Sequence, residues 1–346
     1  MILTVSNLKT HILYEDSDIK QCPKIKKLIE QKLRVRADGY KYNNAYKSGY
    51  WDGYKSLLSK DNLFLTGFLP AVIKVCAEAG VGYTLVDDRK NKVVFKSKLD
   101  IEVKNPEGFV LREYQQRVLT KTINTAVSGL RFPRGIWNLA VNSGKMIILT
   151  ALAHNVVNPK VLLIIDRQAN FKQNVEWFKN IFNTPTVQGS KFDFTGTFVV
   201  AMAKSLKNLI KKPSVRKELQ SFNIVCCDEA HRAASATYVT IHENLDPYIK
   251  INMSGTTLDV KSVERKLRLI GLGGGLIDTV TEKDLEDWEV SLKTNVFIHL
   301  IREGKQAGFL HYHEAYNLYV INSKERVRKM YEIIGNRQNK LGRPMS

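Results

Sequence analysis

A lysine that follows a glycine at the end of an apolar run can hold an anion. This sequence has one in Leu139-Ala140-Val141-Asn142-Ser143-Gly144-Lys145-Met146, ahead of the helical run Ile147 to Ala153. A tight turn there aims backbone N–H groups and a helix N-terminus at the anion, and the lysine adds a point charge suited to β- and γ-phosphates. A full P-loop has glycine where Asn142 stands and Ser or Thr where Met146 stands, so the segment alone equally suits a basic strand-to-helix turn without a ligand. A second set, Asp228-Glu229-Ala230-His231, ends the apolar run Ile224 to Cys227. Two carboxylates at a strand end can hold Mg²⁺ through the first and orient or activate water through the second, although Asp-Glu pairs are usually solvated surface. The third set is Ser254-Gly255-Thr256, a polar cluster one strand further on.

The elements that must position these sets are strands. From about Leu111 to Ser254, helical patterns alternate with apolar runs at Gly135 to Ala140, Val161 to Asp166, Thr197 to Ala201, Asn223 to Asp228 and Ile251 to Ser254. Such alternation predicts a parallel sheet with helices on both faces, whose ligands bind at the carboxyl ends of the strands. All three polar sets fall at such ends. The segment Lys261 to Glu282, with Gly271 and Gly273 to Gly275, reads as a connecting region, followed by a strand at Val296 to Ile301 and a helix at Lys324 to Gly335.

The first hundred residues read differently, as a small α+β domain. Short β-rich runs (Ile2 to Val5, Leu63 to Thr66, Lys92 to Phe95) alternate with two helices. Pro23 opens the first, with Ile25, Leu28, Ile29 and Leu33 at helical spacing; Pro70 opens the second and Gly80 closes it, with Val72, Val75 and Cys76 inward. The polar segment Lys98 to Gly108, with Asn105-Pro106, marks the boundary. The expected organisation is a basic α+β domain at 1–104, a P-loop α/β domain at 105–290, and the start of a further domain at 291–346.

The charge balance points to a partner. The 346 residues contain 53 Lys plus Arg against 34 Asp plus Glu, a net charge of +19 that favours a polyanion, either nucleic acid or an anionic membrane. No stretch approaches the roughly 20 apolar residues of a spanning helix, and the N-terminus is polar and acidic where a signal peptide is apolar, so no membrane is expected. Cys22, Cys76, Cys226 and Cys227 have neither metal-ligand spacing nor the density of a disulfide scaffold, and read as buried free thiols. Between Lys24 and Lys60 ten basic residues face three acidic ones, with Tyr40, Tyr42, Tyr46, Tyr50, Trp51 and Tyr54 interleaved. Basic groups beside aromatic faces suit phosphate contact plus base stacking at a junction or frayed end. The bland alternative is that these aromatics build the domain's core, which Trp51 and Tyr40 are expected to do. Lys24, Lys27, Arg34, Lys41 and Lys47 carry the DNA-binding expectation.

Taken together, Arg112-Glu113-Tyr114-Gln115, Ser143-Gly144-Lys145, Asp228-Glu229-Ala230-His231 and Ser254-Gly255-Thr256 resemble motifs Q, I, II and III of the DEAH-type superfamily-two helicases, in order and at suitable spacing. Ala37-Asp38-Gly39-Tyr40-Lys41-Tyr42-Asn43 followed by Gly49-Tyr50-Trp51-Asp52-Gly53 resembles the N-terminal domain of UvsW-type phage recombination and branch-migration helicases. The resemblance implies a RecA-like motor domain, ATP and Mg²⁺ as cofactors, branched or duplex DNA as partner, and a host cytoplasm. It also implies roles. Gln115, helped by Tyr114, would read the adenine edge; Asn142, Ser143, Gly144, Lys145 and Met146 would form the phosphate loop; Asp228 would bind Mg²⁺ and Glu229 would activate water; His231, Ser254 and Thr256 would couple the nucleotide site to DNA. Met146 departs from the pattern, because a thioether is a poor ligand for a hard cation. Thr257 stands where many relatives have proline.

These readings lead to an ATP-dependent DNA helicase or translocase acting on branched DNA. The alternative is a catalytically silent DNA-binding protein with a decayed P-loop. A restriction-enzyme motor is a third reading, but no nuclease-like constellation stands out in the N-terminal domain. The family's motor has a second RecA-like domain with an arginine finger, and no candidate for that residue follows Lys324. The chain therefore reads as a truncated form, expected as a monomer that binds DNA without unwinding it.

Overall fold

The computed structural model describes residues 1–16, 20, 24–103, 108–182, 184–229, 235–255, 262–290 and 328. Residues 1–291 form one compact unit and 292–346 a second. The expected strand at Val296 to Ile301, the helix at Lys324 to Gly335 apart from Arg328, Cys22, Pro23, His231, Thr256 and Thr257 lie outside the described residues.

The N-terminal part is built on a mixed four-stranded sheet of order β5-β2-β1-β6. It runs β1 (Ile2–Val5), β2 (Lys9–Leu13), α1 (Ile25–Lys32), β3 (Arg34–Arg36), α2 (Asn44–Lys47), β4 (Tyr54–Ser56), β5 (Leu63–Leu65), α3 (Leu69–Glu78) and β6 (Thr84–Asp87). Leu3, Val5, Ile12, Ile25, Ile29, Leu33, Phe64, Val72 and Cys76 bury its core. Three expectations are corrected by this arrangement. Leu28 leaves the apolar stripe of α1 and is exposed, because α3 covers only the Ile25–Ile29 side. Lys92 to Phe95 forms no strand; Phe95 makes a single bridge to Val156, and the edge of the sheet is taken by β6. Trp51 and Tyr40 are half-buried and stand outside the core cluster, contrary to the expectation that they would build it.

A short pair, β7 (Glu102–Val103) and β8 (Phe109–Val110), leads to α4 (Glu113–Asn124), and a second pair, β9 (Ala126–Val127) and β10 (Leu130–Arg131), leads into the large sheet. That sheet has eight strands in the order β14-β13-β15-β12-β16-β17-β11-β18, parallel except for β14. In chain order its elements are β11 (Arg134–Leu139), α5 (Lys145–His154), β12 (Val161–Ile165), α6 (Gln168–Lys179), β13 (Thr186–Gln188), β14 (Lys191–Phe192), β15 (Phe198–Met202), α7 (Ala203–Leu209), α8 (Pro213–Leu219), β16 (Ile224–Asp228), α9 (Ala236–His242), β17 (Ile249–Ser254), α10 (Val263–Gly273), β18 (Leu276–Val280) and α11 (Glu282–Asp287).

The unbroken apolar runs have a simple cause, since a strand covered on both faces has no polar side to show. In β12, Val161, Leu163 and Ile165 pack beneath α4, α5 and α6, while Leu162 and Ile164 pack against α7, α8 and α9. Cys226 and Cys227 split between these two layers in the same way, and burial pushes both thiols up, Cys227 to about 12. Cys76, Cys226 and Cys227 are buried and stand outside any disulfide.

The region expected as a connector, Lys261 to Glu282, is instead α10 plus the eighth strand, which pairs in parallel with β11. The glycines that suggested a linker serve close packing. A Cβ at Gly271 would stand 2.6 Å from the Phe68 ring, and one at Gly67 would overlap the backbone of Ile270 and Gly271. Absent side chains let α10 lie directly on the N-terminal part, where Leu267 and Ile270 pack against its core. Ser262 caps the helix, accepting from the Arg265 N–H at 3.0 Å.

Candidate functional site

The phosphate-loop candidate is the turn between β11 and α5. Asn142 has φ 64° and Gly144 φ 76°, both left-handed. Asparagine is among the side chains that tolerate this region, so Asn142 meets the conformational demand that glycine meets in the usual pattern. Gly144 is constrained twice, by its φ and by Gln115, whose amide occupies the space of a Cβ. The first N–H groups of α5 have no acceptor within the helix and face the loop. Ser143 Oγ is buried without a hydrogen-bond partner among the described residues. Lys145 Nζ donates to the carbonyls of Leu139 and Ala140, each at 3.1 Å. Burial pushes its pKa down, opposed by the charges of Asp228 and Glu229.

Tyr114 and Gln115, expected by resemblance at the adenine edge, bond to the turn between β11 and α5 in this structure. The Tyr114 hydroxyl donates to the Ser143 carbonyl at 2.9 Å, and Gln115 Nε2 donates to the same oxygen at 3.1 Å. Gln115 Oε1 accepts from the Arg112 N–H at 2.9 Å, and the residue is 3% exposed. Its position three residues after the Arg112 cap explains this, since the side chain satisfies an orphan N–H of the first turn. Both residues therefore buttress the loop from behind. Trp288, just past α11, stacks on Tyr114 with centroids 5.2 Å apart.

Asp228 ends β16 and Ser254 ends β17, and both are buried. β16, β17 and β11 are neighbours in the sheet, so the two residues and the loop lie along one edge. Burial raises the Asp228 pKa, helped by the charge of Glu229 and opposed by the Glu229 backbone N–H and Lys145. Glu229 has φ 55°, a left-handed conformation that a long side chain rarely adopts and that turns the chain sharply after the strand.

One cavity of about 840 Å³ joins these groups. Its walls include Asn142, Gly144, Lys145, Met146, Asp228, Glu229, Ser254 and Gly255. Arg167, Asn170, Asn174 and Trp177 close the far side, and Asn170 Nδ2 lies 3.5 Å from Asp228 Oδ2. These four were missed in the sequence, although Asp166-Arg167-Gln168 is a polar cluster at the end of β12 and obeys the same strand-end rule. The donors fit a nucleotide's phosphates: a left-handed turn, a ten-residue helix N-terminus and an ammonium. They fit Mg²⁺ through Asp228, with Met146 adding nothing hard. The coupling candidates His231 and Thr256 lie outside the described residues.

The DNA-binding candidates Lys24, Lys27, Arg34, Lys41 and Lys47 are all exposed. Lys24 and Lys27 lie at the start of α1, the others on β3 and on the loop between β3 and β4. The guanidinium groups of Arg34 and Arg36 flank Tyr54 at 4.4 and 4.6 Å from its centroid, and Arg36 also covers Tyr40 at 4.5 Å. Arg34 pairs with Asp52. Among the described residues, no helix is long and apolar enough to cross a membrane.

Comparison with known proteins agrees with this architecture. Residues 11–87 match the family "DNA helicase UvsW, N-terminal", and residues 108–259 match "Type III restriction enzyme, res subunit". The ATP-dependent DNA helicase uvsW of Enterobacteria phage T4 is 24% identical over 279 residues, covering 75% of this chain and 53% of that protein. The chain thus spans about half the length of this curated relative. Two solved structures share the fold with a TM-score of 0.59 and 21% identity over 80% of this chain: a crystal structure of the UvsW helicase from bacteriophage T4, covered to 99%, and a crystal structure of T4 UvsW, covered to 56%. The two matched segments fall on the small basic part and the large parallel sheet, and with this order of parts the chain is similar to the UvsW-type superfamily-two helicases over their N-terminal domain and first RecA-like domain.

Proposed function

We propose that this chain is the DNA-gripping and first motor portion of an ATP-dependent DNA helicase or translocase that remodels branched DNA during phage infection. Residues 1–104 would grip DNA, 105–290 would bind ATP, and 291–346 would begin a second motor domain. The observation that carries the reading is the convergence of Lys145, Asp228, Glu229 and Ser254 on one cavity, from the ends of three neighbouring strands.

The chemistry follows from those groups. Lys145 would exchange its two carbonyl acceptors for β- and γ-phosphate oxygens, a stronger charge-assisted pairing. Asp228 would hold Mg²⁺, which when bound neutralises phosphate charge. Glu229 would take a proton from the attacking water, and its turned backbone puts it beside the cavity rather than in the strand. Ser254, at the end of the strand between the other two, would sense the nucleotide and pass its state to the segment that follows. The exposed lysines and Arg34 would hold DNA phosphates, which carry affinity without sequence information.

Met146 favours the competing reading of a silent DNA-binding protein, whereas the left-handed Asn142 supports a loop still shaped for phosphate. The test is equilibrium binding of a fluorescent ATP analogue with Mg²⁺ to the 346-residue chain, beside Lys145→Ala, together with DNA-stimulated phosphate release. The variant should lose about tenfold or more in affinity, the scale of one lost charged hydrogen bond. Equal affinity in the two proteins, or none in either, would refute the nucleotide site.

A further inference from the structure

The two most exposed large hydrophobic residues among those described, Tyr42 at 84% and Tyr50 at 92%, lie on one loop, between β3 and β4. The loop is held in shape from within. The Ala37 N–H donates to the Gly53 carbonyl at 2.9 Å, Asn43 caps α2 through the Ala45 N–H at 2.9 Å, and the Trp51 N–H donates to the Ala45 carbonyl at 3.0 Å. Trp51 Nε1 donates to the Tyr54 carbonyl at 2.7 Å, and Tyr40 meets Tyr46 edge-on at 4.8 Å.

Its base is fastened to α10, the helix that follows Ser254. Glu264 accepts from Lys55 Nζ at 2.9 Å and from the Asp38 N–H at 3.2 Å, and Ser262 donates to Asp38. Within this frame the other aromatics are engaged: Tyr40 and Tyr54 by guanidinium groups, Tyr46 by Tyr40, Trp51 by the backbone. Tyr42 and Tyr50 have no ring or cation against them among the described residues. A rigid loop that spends four aromatics on its own structure and leaves two in water presents those two to something else.

The surroundings say what. Lys41 and Lys47 are exposed on the same loop, beside Arg34 and Arg36 on β3, so the partner is a polyanion. Phosphates have no use for an aromatic face, and the bases of an intact duplex are already stacked on one another, offering only their edges in the grooves. An aromatic face flanked by cations matches an unpaired base on its sugar-phosphate backbone. We infer that Tyr42 and Tyr50 form a stacking surface for unpaired nucleobases, so that the loop engages the single-stranded part of a forked or branched DNA while Lys41 and Lys47 hold its phosphates. This rests on the DNA-binding reading above, and specifies which strand state the N-terminal domain prefers.

The test is fluorescence anisotropy of the 346-residue chain on labelled single strand, forked duplex and blunt duplex. It compares wild type with Tyr42→Ala/Tyr50→Ala and Tyr42→Phe/Tyr50→Phe. Both positions are exposed, so all three proteins should show the same circular dichroism and melting. The alanine pair should weaken binding to single strand and fork by about tenfold or more, the scale of one or two base–aromatic stacks. It should leave blunt-duplex affinity and the salt slope unchanged, and the phenylalanine pair, which keeps the faces, should behave as wild type. Unchanged fork affinity in the alanine pair, an equal loss on blunt duplex, or a phenylalanine pair as weak as the alanine pair overturns the stacking surface alone. A wild-type chain without affinity for any of the three DNAs overturns the DNA-binding reading with it.

Discussion

Lys250→Met should make the protein more stable at neutral pH and remove part of its pH dependence. Lys250 lies near the start of β17, 1% exposed and paired in register with Arg134 of β11. Burial, and then the charge of Arg134, push its pKa down to about 7, opposed by Cys227 and Asp246. His242, also buried against this group, is held well below its ordinary value by burial and by the charges of Lys250 and Arg134. The Arg134 guanidinium donates to the Asn7 carbonyl at 2.9 Å, and burial, then the charge of Arg89, push its own pKa down from the ordinary arginine value. The unfolded chain carries a proton on Lys250 up to about pH 10.5, and the folded chain releases it above about 7. In that window the unfolded state binds one more proton, so stability rises with pH by about 1.4 kcal/mol per unit. Between pH 7.5 and 9.5 this amounts to about 3 kcal/mol, and at pH 7.5 the penalty still in force is about 4 kcal/mol. Methionine fills much the same volume without the amine, so the variant should exceed wild type by a few kcal/mol at pH 7.5, with the gap closing near pH 10. Urea unfolding followed by circular dichroism at pH 7.5, 8.5 and 9.5 measures both. Titrating groups that do not interact with Lys250 are common to the two proteins and cancel in the difference. Parallel stability profiles for wild type and variant would show that the buried amine keeps its proton in the fold, and the argument would fail.

Glu229→Gln should abolish nucleotide turnover while leaving nucleotide binding nearly intact, because the amide keeps the shape but cannot take a proton from water; hydrolysis at the wild-type rate would assign the base elsewhere. Met146→Thr should tighten Mg²⁺-dependent nucleotide binding by supplying the missing oxygen ligand, and titrations with and without Mg²⁺ that show no difference between the proteins would remove Met146 from the metal site. Replacing Lys24, Lys27 and Arg34 together by alanine should weaken duplex binding and lower the slope of log affinity against log salt by roughly 0.9 for each phosphate no longer neutralised; an unchanged slope would mean that these exposed cations touch no DNA.

The three strand-end motifs were legible because a parallel sheet imposes a strict rule on its sequence. Each buried strand must be a short apolar run, and the turn after its carboxyl end is where polar chemistry can stand. Ile224 to Cys227 followed by Asp228-Glu229, and the run before Ser143-Gly144-Lys145, are local signals of that rule, and so each element could be located without knowing its neighbours. The same rule, applied to Val161–Ile165, would also have found Arg167 and Asn170.

What chain neighbours could not reveal was how segments distant in sequence meet. The glycines of α10 read as a linker because in a linear chain glycine signals looseness; only the approach of Phe68 and the Gly67 backbone turns the missing side chains into a packing requirement. Gln115 is polar and near a phosphate loop, yet its amide goes to Ser143 and Arg112, a choice made by the geometry of a helix cap. The interleaved tyrosines between Arg36 and Lys55 are alike in sequence, and the fold sorts them, placing Tyr40 and Tyr54 beneath guanidinium groups and leaving Tyr42 and Tyr50 in water. Periodicity and residue type decided the class of fold, the order of the strand-end motifs and the kind of ligand to be expected, because those depend on local pattern and charge. Which polar groups stay open to a ligand was decided by the tertiary structure alone, because a side chain's partners come from whatever segment the packing brings beside it.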